Sequence, residues 1–214
     1  MDCRSPALSL PPDARAGRRS RRRGFSLVEV AVVLAMLGVL SALAVHRIRQ
    51  HLAQARSAEA IQMVGGIARA LATTYAVKNH VTKQLPGGFD IGLCRDAVAV
   101  PANLDAVKNG KKYQPRNTPN SDYETGNKLS GWRCIGFQND QPQHYQYRYK
   151  LGGSPVALQK PLVLPPGVAA SRQWTAYARG DVDGDGKFSW FILSGYALDQ
   201  EVTFGTMAIQ DQEE

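Results

Sequence analysis

The sequence predicts an α+β fold: a long N-terminal helix that first spans a membrane and then, over its C-terminal half, packs on an antiparallel sheet. Three observations carry this expectation. Phe25 to Val45 is a run of 21 residues with one charge, Glu29, and a membrane-spanning helix needs about 20 apolar residues. From Ile48 to Tyr75 apolar residues recur at steps of three or four, the spacing of one helical face. Between residues 144 and 151 the period falls to two, with Tyr145, Tyr147, Tyr149 and Leu151 alternating with polar groups as in a half-buried strand.

Residues 1–24 form a basic leader. Arg4, Arg15, Arg18, Arg19, Arg21, Arg22 and Arg23 stand against Asp2 and Asp13. The leader thus takes +5 of the chain's net +8 and leaves +3 for residues 25–214. Pro6, Pro11, Pro12 and Gly17, with little periodicity around them, predict no packed structure. An arginine cluster can read as a nucleic-acid patch; directly before a span it sets orientation instead, with the leader cytoplasmic and residues 46–214 outside. Arg47, Arg49 and Arg56 reduce that asymmetry without reversing it. The modest charge beyond the leader predicts no specific nucleic-acid partner.

Residues 25–45 are read as the transmembrane helix. An acid at a membrane helix centre costs on the order of 2.5–3.5 kcal/mol, so Glu29 needs a functional explanation. A carboxylate buried among apolar helices also needs a compensating positive charge. Two plainer accounts compete. Ala42-Leu43-Ala44 fits the small-residue site of a secretory signal, but such signals have apolar regions of roughly 7–15 residues. A single-pass anchor explains the length and gives no reason for Gly24-Phe25 or Glu29.

Residues 46–80 continue the helix. Ile48, Leu52, Ala55, Ala58, Ile61, Val64, Ala68, Leu71 and Tyr75 form the predicted buried stripe, with Arg49, Gln50, Gln54, Arg56, Glu59 and Arg69 largely on other faces. No proline interrupts Phe25 to Lys83, so one helix of about 55 residues, roughly 80 Å, is allowed. Gly65-Gly66 is the expected weak point or bend. His46 and His51 are expected to be solvated at the membrane edge.

The head is predicted over residues 81–214. Residues 81–131 read as a long polar connection, punctuated by Pro86-Gly87-Gly88, Asn109-Gly110, Pro119-Asn120 and Thr125-Gly126-Asn127, with a short helix at Asp96–Val107. An antiparallel sheet is expected over 132–209, with strands at Trp132–Phe137, His144–Leu151, Gln173–Arg179 and Lys187–Ser194 and a last edge strand within Val202–Ile209. The tail Asp211-Gln212-Glu213-Glu214 is acidic.

Asp181-Val182-Asp183-Gly184-Asp185-Gly186 matches the front half of a calcium loop, with acids at positions one, three and five and glycine at six. Ile192 stands where the bidentate glutamate of position twelve belongs, and the flanks read as strands. Two readings stay open: Asp181, Asp183 and Asp185 hold Ca²⁺ weakly, or they build a hairpin turn, where Asp-Gly is favoured. No other cofactor is expected. No catalytic constellation is present in the sequence and His80 and His144 stand alone, so an enzyme is not expected.

Arg21-Arg22-Arg23, Gly24, Phe25, Glu29 as fifth residue after the glycine, and the unbroken apolar helix behind them together resemble the processing signal of type IV pilins and type II secretion pseudopilins. The resemblance is sharp over residues 18–45, tapers to about residue 80 and is architectural beyond. It implies that a prepilin peptidase cuts after Gly24 and methylates the new amino group of Phe25. The apolar helix then holds the subunit in the inner membrane, in contact with lipid and the assembly platform, until it joins other pilin subunits in a periplasmic or extracellular filament. Glu29 pairs there with the N-terminus of Phe25 on a neighbour. The family's lollipop shape and structural role are implied likewise. Many major pilins carry a proline just past the membrane run, where this chain has His46, which favours a minor subunit or a pseudopilin. A secreted or membrane-anchored binding domain is the remaining alternative.

Cys3 lies in the leader, which leaves Cys94 and Cys134. Outside the cytoplasm disulfides persist, and a bridge between these two resembles the cysteine-closed loop of many pilins. Two unpaired buried thiols are the other reading. No CxxC spacing points to a metal.

Overall fold

The computed structural model describes residues 24–83, 92–157, 162–198 and 201–210. The leader arginines, Cys3, Pro86-Gly87-Gly88 and the acidic tail lie outside the described residues. The chain divides into two compact units, Met1–Arg47 and Ile48–Glu214.

The first unit holds the start of helix α1 (Leu27–Lys83). Ser26 begins it as an N-cap: its Oγ accepts the Glu29 N–H at 3.1 Å and its carbonyl accepts the Val30 N–H at 3.2 Å. A serine before the first turn with glutamate three residues on is a helix-start signature. Leu27–Val45 is long and apolar enough to cross a membrane, and none of it is buried.

In the second unit α1 supplies one wall of the core. Ala60, Val64, Ile67, Ala68, Leu71 and Tyr75 are buried, as the spacing predicts from Val64 onward. Upstream the expected stripe is corrected. Ile48, Leu52, Ala55, Ala58 and Ile61 are exposed, and the inward positions are Ser57 and Ala60, with Glu59 half-buried beside them. The helix continues through Gly65-Gly66. A Cβ on Gly66 would lie 3.2 Å from the Phe137 ring, so this glycine serves close packing.

The sheet is antiparallel, with β1 (Gln146–Leu151), β2 (Gln173–Gly180), β3 (Ser189–Leu198) and β4 (Glu201–Phe204) in that order. A fifth strand, β5 (Ala208–Gln210), also pairs with β3. The expected last edge strand is therefore two short ones that share β3 as partner. Register sets Tyr147 opposite Ala178 and Tyr149 opposite Ala176. Those alanines face Phe191 and Leu193 on β3. Large rings on β1 thus meet small residues on the central strand, and together with α1 they form one core.

Two expected elements are corrected. Trp132–Phe137 is not a strand: Gly131–Ile135 forms a single-turn helix, α2, closed by Gly136 at φ 72°, whose N–H donates to the Trp132 carbonyl. Aromatic and β-branched content favoured a strand here, but left-handed glycines at 131 and 136 bracket one helical turn. Asp96–Val107 is not a helix either, apart from a 3-10 turn at Leu104–Ala106. Its first part lies along the β1 edge: the Ala97 N–H donates to the Tyr149 carbonyl at 3.1 Å, and Val100 and Tyr147 exchange backbone hydrogen bonds at 2.8–2.9 Å. That edge is thereby capped.

Candidate functional site

The N-terminal site is built on the first turn of α1. Phe25 is 79 % exposed, and the large apolar residues from Leu27 to Val45 are exposed with it. Glu29 lies in the first helical turn. Its carboxylate therefore faces the positive end of the helix dipole. The sequence reading gave Glu29 an intermolecular role only; the Ser26 hydroxyl adds a local one, legible in the Ser-x-x-Glu spacing.

Cys94 and Cys134 form a disulfide across 40 residues of chain. Cys134 sits on α2, not on a strand. The Lys78 ammonium of α1 lies over the bridge. It donates to the carbonyls of Lys128 and Cys134, each at 3.1 Å, and lies 3.2 Å from Cys134 Sγ. Partial burial lowers its pKa from the ordinary lysine value.

The aspartate loop joins β2 to β3. Carboxylate oxygens of Asp181, Asp183 and Asp185 lie within 4.8 Å of one another. Each also accepts a backbone N–H: Asp181 from Gly184 at 2.9 Å, Asp183 from Asp185 at 3.1 Å and Asp185 from Lys187 at 2.7 Å. The turn reading therefore has a local use for one oxygen of each aspartate. Asp185 Oδ2 also lies 3.5 Å from Lys187 Nζ, so a hard cation would take the second oxygens of Asp181 and Asp183 and compete with Lys187 for that of Asp185. Ile192 is buried within β3 and supplies no further ligand.

A polar cluster inside the second unit has no counterpart in the sequence reading. His144, expected to stand alone, has its Nδ1 2.7 Å from Glu59 Oε2, while its backbone N–H donates to Glu59 Oε1 at 2.9 Å. The Tyr147 hydroxyl donates to the same Oε1 at 3.3 Å. Burial, and next the Glu59 charge, push the Tyr147 pKa well above the usual phenol value. Only the fold joins residues 85 positions apart, so spacing carries no signal for this pair.

Residues 19–45 match the family described as the prokaryotic N-terminal methylation motif. Over 105 residues the chain is 28 % identical to the type IV major fimbrial protein FimA of Dichelobacter nodosus, covering 49 % of this chain and 59 % of that protein. The chain thus spans little more than half the length of this relative. No solved structure matches. Motif and distant similarity together support the type IV pilin-like superfamily, and the α+β architecture agrees with it.

Proposed function

We propose that the chain is a prepilin whose mature form, beginning at Phe25, is a structural subunit of a type IV pilus or of a related secretion pseudopilus. One observation carries this: an apolar helix exposed from Phe25 to Val45 with an acid in its first turn. A helix that is apolar all round must be covered by lipid or by other helices, and its carboxylate then needs a positive partner.

Cleavage after Gly24 by a prepilin peptidase creates that partner, because the new amino terminus of Phe25 is cationic and stays so when methylated. In the inner membrane, with its N-terminus cytoplasmic, the subunit is held by residues 25–45. On the assembly platform Glu29 of one subunit pairs with Phe25 of the next, and the head is carried on the filament surface. The Cys94–Cys134 bridge fits an oxidising compartment. His46 in place of proline favours a minor subunit over a major one.

The test is the N-terminus of the protein from its native host, read by mass spectrometry. N-methylated Phe25 is expected. A chain starting at Val45 would make the protein an ordinary secreted one, and an uncut leader beside an active peptidase would make it a plain anchor. Glu29→Gln is expected to leave cleavage intact and to remove the subunit from filaments.

A further inference from the structure

We infer that the head carries a saccharide-binding pocket between its 114–124 and 137–143 segments. A cavity of about 370 Å³ opens there, lined by Asn117, Tyr123, Glu124, Gln138, Asn139 and Asp140. Small-ligand sites begin at roughly 300 Å³, so the volume fits a small ligand.

The walls are braced to each other. The Tyr123 hydroxyl donates to Gln143 Oε1 at 2.7 Å, and the Asn139 amide donates to the same oxygen at 3.3 Å. Gln114 Nε2 donates to the Asp140 carbonyl at 2.7 Å, and Gln138 Nε2 donates to Glu124 Oε1. Within the 114–124 wall, Asp122 Oδ2 accepts from both the Tyr113 hydroxyl, at 2.8 Å, and the Arg116 N–H, at 2.7 Å. A site held in shape by its own hydrogen bonds spends little on ordering when a ligand arrives.

The bracing also decides what the site offers. Both Asn139 N–H groups and one of the two on Gln138 are used on protein acceptors. Among the described residues, Gln138 Oε1, Glu124 Oε2 and Asp140 Oδ2 have no hydrogen-bond partner, and neither has the Asn117 carboxamide. The rim is therefore rich in acceptors, with the Asn117 carboxamide and the second Gln138 N–H able to donate as well. An ammonium group would use the acceptors and leave the Asn117 and Gln138 donors idle, because ammonium only donates. Hydroxyls donate and accept, so a ring bearing adjacent hydroxyls satisfies the whole set. This reading is independent of how the N-terminus is processed.

Saturation-transfer NMR tests it on the full mature chain, held in a zwitterionic detergent without a sugar headgroup. The probes are glucose, galactose, mannose, N-acetylglucosamine, N-acetylgalactosamine and the disaccharides lactose and maltose, with Nα-acetyl-lysine amide as the cationic control. Transfer to at least one sugar is expected, weakened about five- to tenfold by Asn117→Ala and by Asp140→Asn, each expected to remove one ligand hydrogen bond. Both residues are exposed, so neither change should disturb folding. The inference is overturned by no transfer to any sugar, by transfer that both variants leave unchanged, or by transfer confined to the lysine derivative.

Discussion

Glu59 on α1 holds His144 by both carboxylate oxygens, one on the imidazole Nδ1 at 2.7 Å and one on the backbone N–H at 2.9 Å. His144 lies two residues before β1, so this contact fixes how the sheet's first strand begins against the helix. It is a polar link between α1 and the segment leading into β1.

Removing that link is expected to loosen the head. Glu59→Ala leaves the buried His144 N–H and the Tyr147 hydroxyl without their acceptor, a loss of about 1–3 kcal/mol. Glu59→Gln keeps an oxygen for the N–H and should recover more than half of it. Denaturant unfolding of the mature chain in detergent checks this, and equal losses in the two variants would shift the weight onto charge.

Alkaline stability follows from the tyrosines. Burial raises the phenol pKa of Tyr123, Tyr147 and Tyr149, and burial with the Asp122 hydrogen bond pushes Tyr113 up to about 12. Above pH 10 the unfolded chain loses these protons while the folded one keeps them, so stability is full below pH 10 and falls as pH rises toward 12 and beyond. Lys78, lowered by desolvation, works the other way, gaining stability as pH rises toward 10.5. One lysine against four tyrosines leaves the fall dominant. Phenolate absorbance of these four tyrosines should appear together with loss of far-UV circular dichroism; their free titration in the folded state would contradict it.

Opening the Cys94–Cys134 bridge releases a 40-residue loop, worth about 4 kcal/mol in the chain-entropy treatment. Reduction, or Cys94→Ser with Cys134→Ser, should lower the denaturant midpoint accordingly. Lys78→Met should lower it further in the oxidised protein, because the Lys128 and Cys134 carbonyls lose their shared donor. An unchanged midpoint on reduction would mean that the reduced loop stays ordered.

Calcium decides between the two readings of the 181–185 loop: if the aspartates hold it with a dissociation constant of about 1 mM, 10 mM Ca²⁺ adds about 1.4 kcal/mol to the folded state. A raised Tm, absent in Asp183→Asn, is the result the calcium reading predicts. No rise would assign the three aspartates to the turn alone.

Much of the fold was legible from period. Three-to-four spacing and two-residue alternation report secondary structure directly, which is why α1 and strands β1 to β3 lie close to where the sequence places them. The errors share a cause. Trp132-Arg133-Cys134-Ile135 is too short for period to separate one helical turn from a strand, and the glycines on either side settle it through their left-handed backbone. Asp96–Val107 departs from the expected helix because its hydrogen bonds go to the β1 edge, a partner about 50 residues away.

The sequence by itself determined the N-terminal pattern: Gly24, Phe25, Glu29 and the apolar helix are contiguous, so their order along one chain is read directly. It also determined that an antiparallel sheet follows. Only the tertiary structure decided which faces of α1 are buried before Val64, that His144 meets Glu59, that Cys94 reaches Cys134 under Lys78, and that two loops close a polar pocket. Those contacts join residues 16 to 85 positions apart. Packing brings such residues together, and local spacing holds no record of it.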